Sequence, residues 1–293
     1  MRALLGLTLL LAGTPAAPPP GERTAAIGET IDWSQAEQSG PGRYRVGPVL
    51  LTLTTAKAEE PALLQTSLRV AMPGYAPIEA HGVPTWMESV QVAVGRWGDG
   101  QPFVMFQSFT GGAHCCASIQ LILPQDGHLR VIPVGTWDGD FIDLPTDVDG
   151  DGALDFVVPD NRFYYVFTSY AGSRAPPQIW NIEGGRAVDV SAAPRYRPLF
   201  LRAMSEEHEE CLVGGDDSRS PCAAYVAAAA RAGQFDRAWR EMLKAYERTP
   251  PHGCRVAAAP GSCPQDQVTE DREFPDAIRH FLRETGYLPR TSD

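Results

Sequence analysis

Eight aspartates lie between Gly135 and Asn161, in a stretch of the chain that contains no Lys or Arg. Its densest part, DVDGDGALD, places Asp147, Asp149 and Asp151 at alternate positions. Carboxylate oxygens are the ligands that Ca²⁺ prefers, and the ion takes about six to eight oxygens. Because alternate carboxylates on a tightly wound loop converge, this spacing predicts a calcium site.

The rest of the same loop supports a metal site but departs from the EF-hand pattern. Asp155 occupies the ninth position, Gly152 permits a sharp turn, and the carbonyl of Ala153 can add a ligand. An EF-hand requires Glu at the twelfth position, where this chain has Val158 at the end of a predicted strand. The alternative is an acidic surface loop without metal, but like charges so close together destabilise a fold unless a cation or proton neutralises them.

The pattern D-x-D-x-D-G-x-x-D, which runs directly into the apolar segment FVV, resembles the calcium loops of FG-GAP repeats in integrin-α-type β-propellers. It is also similar to the related VCBS repeats of bacterial exported proteins. The resemblance covers residues 91–190, and the β-rich region is too short for a complete propeller of that family. The Ca²⁺ ligands that the resemblance implies are Asp147, Asp149, Asp151, Asp155 and the carbonyl of Ala153.

Three further aspartates, Asp138, Asp140 and Asp143, lie just upstream in WDGDFID. They are interpreted as turn residues, as outer ligands or as a second, weaker cation site. Together with Ca²⁺ they would also supply the carboxylates of a hydrolase, which is a third and less favoured functional hypothesis.

The segment TGGAHCC contains the second unusual cluster, His114, Cys115 and Cys116. Neighbouring residues of a strand point to opposite faces, so the two cysteines can have separate roles. They can instead form a vicinal disulfide, for which the two preceding glycines supply backbone freedom. A third interpretation is a copper or zinc site, because both metals accept imidazole and thiolate ligands.

Six cysteines are expected to form disulfides if the chain is exported to an oxidising compartment. The pairs that close the shortest loops are Cys211–Cys222 and Cys254–Cys263. This choice leaves Cys115 and Cys116 with each other.

The N-terminus is typical of a secretory signal peptide, with one Arg, a short apolar run and small residues before Ala17. We therefore expect a signal peptide at 1–17, a linker at 18–26, and a bacterial protein that is periplasmic or secreted. No later segment reaches the length of about 18 apolar residues typical of a membrane span, so we expect no stable membrane insertion. With 36 acidic and 25 basic residues and no basic cluster, nucleic acid is not an expected partner.

The pattern of apolar residues predicts an α+β protein with two parts. From 27 to 192, short alternating runs separated by Gly, Pro, Asp and Asn indicate a mostly antiparallel β domain. This domain must close its sheet edges as a partial propeller-like stack or as a sandwich. From 193 to 293, apolar residues three and four positions apart predict a small helical domain pinned by disulfides.

One part of the helical domain, YVAAAARAGQFDRAWREMLKAYERTPP, resembles a tetratricopeptide-type helix pair. A single pair cannot bury its own core and normally needs at least about three repeats. We therefore expect it to pack against the β domain, with a peptide-binding groove as the alternative role.

Common catalytic motifs, such as the G-x-S-x-G elbow, the H-E-x-x-H helix and the phosphate-binding P-loop, do not occur. The sequence therefore favours a non-catalytic, exported protein that binds structural Ca²⁺ and acts as a binding or assembly module for an unidentified protein or glycan. The alternative is a metal- or redox-active protein that uses His114, Cys115 and Cys116.

Overall fold

The fold is described from a computed structural model. The residues that it describes are 21–34, 40–60, 62–87, 89–98, 100–254, 264–271 and 273–290. The predicted signal peptide and the cysteine at position 263 lie outside these residues. None of the helices in the described part of the chain combines the length and apolar character that a membrane-spanning segment requires.

Two five-stranded sheets contain most of the β structure. The first consists of β1 (Glu22–Ala25), β3 (Gly42–Val46), β4 (Val49–Lys57), β5 (Leu64–Ala71) and β6 (Ile78–His81), in that order. The second consists of β10 (His128–Asp138), β9 (Cys115–Gln125), β8 (Pro102–Phe109), β7 (Val90–Arg96) and β2 (Thr30–Trp33), in that order. All neighbouring strands are antiparallel except β1 and β3, which are parallel.

The two sheets pack face to face and share one apolar core. Leu51 and Leu68 of the first sheet lie in the same buried cluster as Val104 and Phe106 of the second. On β8 the intervening residue Met105 belongs to a different buried cluster, on the opposite face of the strand. Because side chains alternate between faces along a strand, the second sheet is covered on both sides.

A third sheet covers the outer face of the second. Its strands are β11 (Phe156–Pro159), β12 (Pro177–Glu183) and β13 (Arg186–Asp189), in that order. Phe156 and Val158 pack with Met105 and Leu121 of the second sheet. On the opposite face of the third sheet, Ile179 belongs to the core of the helical domain.

The helical domain follows in the chain and packs on the face of the third sheet that points away from the second sheet. Its elements are α1 (Arg197–Val213), α2 (Arg219–Arg231), α3 (Phe235–Arg248), a two-stranded sheet of β14 (His252–Cys254) and β15 (Val268–Glu270), and α4 (Phe274–Glu284). Helix α2 is rich in alanine and is buried on nearly all sides, because the small side chain lets neighbouring elements approach closely. This arrangement confirms the predicted fold class, a mostly antiparallel β domain followed by a small helical domain.

The structure differs from the sequence prediction in three places. The expected linker at 18–26 contains β1. The run RYRVGPVLLTLTT, whose apolar residues predict one strand, is divided between β3 and β4 by a turn at Gly47 with φ of 55°. The segment FYYVFTS, whose alternating apolar residues predict a strand, begins at the last residue of the 3₁₀ turn Asn161–Phe163 and continues without forming a strand.

Candidate metal centre

The aspartate loop lies between β10 and β11 and is closed at its base by a short backbone bridge. Asp155 N–H donates to the carbonyl of Thr146 at 2.8 Å, and Thr146 N–H donates to the carbonyl of Asp155 at 3.3 Å. Gly150 and Gly152 have φ of 82° and 86°, which places both in the left-handed region that other residues rarely adopt. The glycines therefore allow the chain to reverse direction within the loop.

Asp147 organises the loop by accepting hydrogen bonds from three backbone groups. Its Oδ1 accepts from Gly150 N–H at 2.7 Å and from Asp151 N–H at 3.1 Å, and its Oδ2 accepts from Gly152 N–H at 3.0 Å. Asp149 Oδ1 also accepts from Asp151 N–H, at 3.0 Å. These local bonds between side chain and backbone are the contacts that favour turns at Asp, and they wind the loop tightly.

The winding brings three of the predicted ligands together. One carboxylate oxygen from each of Asp147, Asp149 and Asp151 lies within 4.8 Å of the others. Asp147 and Asp151 are exposed, whereas the side chain of Asp149 is only 3% exposed. The loop therefore holds one buried and two exposed carboxylates at a spacing that a single cation can bridge.

Asp155, the fourth predicted carboxylate ligand, is not part of this cluster and is fully buried. Its Oδ1 accepts hydrogen bonds from Asn181 Nδ2 at 2.6 Å and from the Tyr196 hydroxyl at 2.5 Å. Its Oδ2 accepts from Val148 N–H at 2.8 Å. Burial, followed by the bond to Asp155, raises the pKa of Tyr196 well above its usual value, so the hydroxyl stays protonated and donates. Ala153, the predicted carbonyl ligand, is half-buried, and its N–H donates to Asp151 Oδ1 at 2.8 Å.

Arg195 adds a cation that the loop sequence alone does not reveal. It belongs to the 3₁₀ turn Pro194–Tyr196 that joins the β domain to α1, and its Nε lies 2.5 Å from Asp149 Oδ2. Its Nη2 lies 3.6 Å from Asp151 Oδ2. The only sequence signal for this contact is the arginine-rich segment PRYRP at the predicted domain boundary.

The charges and oxygens of the loop fit a divalent, oxygen-seeking cation. Arg195 balances one of the three carboxylates, which leaves two negative charges, the number that one Ca²⁺ neutralises. Asp149 Oδ2 is buried and lies 2.5 Å from Arg195 Nε, so the guanidinium balances the charge of this carboxylate.

The upstream aspartates lie apart from this cluster. Asp140 and Asp143 are exposed, and Asp138 is half-buried beside the cysteine pair. The three carboxylates therefore do not converge with the loop on one site.

The second predicted cluster forms around a disulfide between Cys115 and Cys116. A carboxylate oxygen of Asp138 and both sulfur atoms lie within 4.8 Å of one another. His114 Nδ1 lies 3.4 Å from Asp138 Oδ1, and the His114 ring stacks on Tyr170 with 3.7 Å between centroids. In this oxidised form the sulfurs are bonded to each other and offer no thiolate to a metal.

A second disulfide joins α1 to α2. It links Cys211 to Cys222, and both residues are buried. The remaining predicted pair, Cys254–Cys263, lies outside the residues whose side chains the structure describes.

Comparison with known proteins finds relatives for both parts of the chain. A family model described as the sll0997 C-terminal domain matches residues 200–286, which extend from α1 to just beyond α4. The chain is 36% identical over 195 residues to the probable thylakoid lumen protein sll0997 of Synechocystis, an alignment that covers 64% of this chain. It is 30% identical over 193 residues, again 64% of this chain, to the uncharacterized protein y4bJ of Sinorhizobium fredii.

The aligned part spans 57% of the Synechocystis protein and 30% of the Sinorhizobium protein, so both relatives are matched only in part. No solved structure gives a significant match.

Proposed function

We propose that the protein is an exported, non-catalytic binding module in which one Ca²⁺, held by Asp147, Asp149 and Asp151, stabilises the fold. The observation that supports this most directly is the convergence of the three carboxylates. With Arg195 paired to one of them, the cluster keeps two negative charges, which one divalent cation neutralises. The resemblance of the loop to FG-GAP and VCBS calcium loops agrees with the same assignment.

The expected role of the ion is structural because the loop touches the joint between the two domains. Arg195 and Tyr196, which start the helical domain, contact Asp149 and Asp155 respectively. A cation that holds the loop in one conformation would also hold Asp149 and Asp155 in the positions that contact Arg195 and Tyr196. Since Ca²⁺ binds the folded loop and not the unfolded chain, its binding free energy would add to the stability of the fold.

Export is supported by three independent features. The apolar N-terminal run is typical of a signal peptide, and the disulfide Cys211–Cys222 would persist only in an oxidising compartment. The name of the Synechocystis relative assigns that protein to the thylakoid lumen, a compartment that proteins reach by export. We propose that this chain acts in the bacterial periplasm or outside the cell.

Thermal unfolding of the mature, oxidised chain in excess EGTA and then in millimolar Ca²⁺ tests the calcium site. At about 100 times Kd, the ion would add about 2.7 kcal/mol, which raises the Tm of a protein of this size by about 5–10 °C. The variant Asp149→Asn/Asp151→Asn should lose this response, because Asn keeps the turn hydrogen bonds but not the charge.

The matched control is Asp143→Asn, which removes an exposed carboxylate just outside the loop and should keep the full calcium response. A calcium-induced rise in Tm that persists in the double variant would refute the assignment of the ion to this loop. The absence of any rise in the unmodified chain would refute the calcium role altogether.

The second candidate function is metal binding or redox chemistry at His114, Cys115 and Cys116. It is favoured by the position of Asp138, whose carboxylate lies within reach of both sulfurs and near the His114 ring. After gentle reduction, stoichiometric binding of Zn²⁺ that is lost in Cys115→Ser/Cys116→Ser would support this candidate. Failure of the reduced chain to bind Zn²⁺ or Cu⁺ would exclude a metal role for the cluster.

A further inference from the structure

A cleft of about 420 Å³ separates strand β11 from helix α1 and is distinct from the proposed calcium site. One wall is β11 itself, since Val157 and Pro159 both line the cleft. The opposite wall is α1, which contributes Leu199, Ala203 and Glu207. Pro176 and Pro177, where β12 begins, also line the cleft. The cleft is therefore a groove of mixed polarity between a pair of strands on one side and a helix on the other.

Strand β11, which lines the groove together with β12, is also an edge strand of its sheet. Strand β11 ends the third sheet and pairs only with β12 within it. Asp160 N–H donates to the Pro176 carbonyl at 3.0 Å, in register with the pairing of Phe156 with Trp180. Hydrogen bonding alternates along an antiparallel pair, so the N–H and C=O of Val157 point away from β12.

This edge is able to pair with another extended segment. Asp155, at the start of the same edge, already exchanges two backbone hydrogen bonds with Thr146. The next outward-pointing residue is Val157, which is 39% exposed, and no backbone hydrogen bond from another described segment reaches it. An edge strand with open N–H and C=O groups is a template for strand addition.

The helix wall supplies a carboxyl group that lacks a cation at hydrogen-bonding distance. The side chain of Glu207 is 19% exposed, and its Oε2 is buried without a hydrogen-bond donor among the described residues. The Arg174 guanidinium lies 3.9 Å away, too far for a hydrogen bond, and is also bound to Glu210 at 3.1 Å. Glu206 and Arg202 complete the charged groups of α1 beside the cleft.

Burial raises the pKa of Glu207 to about 7, an effect that Glu210 and Glu206 increase and that Arg174 only partly offsets. A carboxyl group in this state gains stabilisation from any cation that enters the groove.

We propose that this groove binds an extended peptide that adds a strand to β11 and places a Lys or Arg side chain against Glu207. The backbone of the peptide would pair with the N–H and C=O of Val157, and its apolar side chains would contact Leu199 and Ala203. A basic segment is favoured by the Glu207 oxygen, which has Arg174 at 3.9 Å but no hydrogen-bond donor among the described residues, and by the net charge of −11 on the chain. The inference deepens the proposed binding role and does not depend on calcium.

Fluorescence anisotropy with short synthetic peptides and the full oxidised chain tests the proposal. The probe is a labelled, acetylated hexapeptide of alternating Val and Thr with one central Lys. Its two controls are the same peptide with Glu in place of Lys, and a version with alternate backbone amides methylated. We expect the Lys peptide to bind at least about tenfold more tightly than either control, because each control removes one of the two required contacts.

Two protein variants separate the groove from general charge effects. Glu207→Gln should weaken binding of the Lys peptide about tenfold. Glu209→Gln, which removes an exposed carboxylate from the same helix, should leave the affinity unchanged. Measuring in Ca²⁺ and again in EGTA keeps the two proposals separate, since failure of the calcium site would leave the peptide result standing.

Equal affinity for the Lys and Glu peptides, or no binding of any peptide, would overturn the proposal. Concentration-dependent dimerisation that Glu207→Gln abolishes would assign the groove to a second copy of the chain instead, which would also overturn it.

Discussion

Replacement of Glu207 by Gln should stabilise the protein, and the gain should grow with pH. In the unfolded chain a glutamate ionises near 4.5, whereas burial holds the pKa of Glu207 in the folded protein at about 7. Between these values the folded state keeps a proton that the unfolded state loses. Stability therefore decreases as the pH rises through this window and becomes constant above it. Gln cannot ionise, so the variant avoids this loss.

The size of the effect follows from the shift and from the exposure of the side chain. A change in pKa from 4.5 to about 7 corresponds to at most about 3.4 kcal/mol at high pH. The side chain is 19% exposed and Arg174 lies 3.9 Å away, so water and this guanidinium screen part of the loss. We expect Glu207→Gln to gain about 1–2 kcal/mol at pH 8 and almost nothing at pH 5.

Urea denaturation at pH 5, 6, 7 and 8 measures this difference directly. The chain should be freed of Ca²⁺ beforehand and kept in calcium-free buffer, because displacement of Ca²⁺ from the aspartate loop by protons would otherwise add its own dependence on pH. Glu209→Gln is the control, and its difference from the unmodified chain should not change with pH. A difference between Glu207→Gln and the unmodified chain that is the same at pH 5 and pH 8 would refute the assignment of a buried, poorly paired carboxyl.

Two further predictions concern the helical domain. Tyr196→Phe should cost about 1.5–3 kcal/mol, because it removes the hydroxyl donor of the buried Asp155, and urea midpoints should show a smaller loss for Tyr225→Phe. Equal losses in the two variants would contradict the special role of the domain joint. Cys211→Ala/Cys222→Ala should cost about 3 kcal/mol in the chain-entropy model for a loop of 11 residues. An unchanged midpoint under oxidising conditions would contradict the structural role of that bond.

Local sequence signals predict the parts of the fold that depend on neighbouring residues. Asp126-Gly127 indicates a hairpin turn, and the structure gives these residues φ of 51° and 77° between β9 and β10. The spacing of the loop aspartates likewise predicts their convergence, since the hydrogen bonds that wind the loop join residues at most five positions apart. Turn chemistry of this kind is contained in the sequence itself.

Contacts between distant residues decide the features that the sequence does not reveal. The predicted strand FYYVFTS fails to form because Tyr165 takes a φ of 62°, and its N–H donates to Ser173 Oγ at 3.1 Å. Phe163 lies outside the sheets, and its ring packs against those of Phe281 and Tyr287 in the last part of the chain. Aromatic residues favour strands and helical cores alike, so their presence alone cannot distinguish these outcomes.

Contacts between residues that are distant in sequence also determine the candidate sites, and local patterns do not predict them. Arg195 reaches Asp149 from 46 positions along the chain, and Glu207 faces a strand that ends at Pro159. No periodicity or motif connects these pairs, because the topology of the third sheet and α1 brings them together. The sequence therefore predicts the carboxylates of the loop but not the cation beside them.

The helical domain is attached to β11 by side-chain hydrogen bonds at the two ends of this strand. Asp155 directly precedes this strand and Asp160 directly follows it, and both side chains are almost completely buried. Each accepts a hydrogen bond from a tyrosine hydroxyl of the helical part: Tyr196 at 2.5 Å and Tyr287 at 2.9 Å. Both donors have a pKa raised by burial, so both remain protonated near neutral pH.

Arg162 balances the second carboxylate through two contacts, at 2.7 and 2.5 Å, and also donates to the carbonyl of Thr285 at 2.8 Å. Removal of Arg162, whose side chain is 42% exposed, would be destabilising because it leaves the buried Asp160 carboxylate without its cation. The helices are thus fixed to β11 at its two ends by buried carboxylates rather than along its edge. Between these two ends Val157 is 39% exposed, and its backbone has no hydrogen bond from another described segment, which agrees with the proposed addition of a strand.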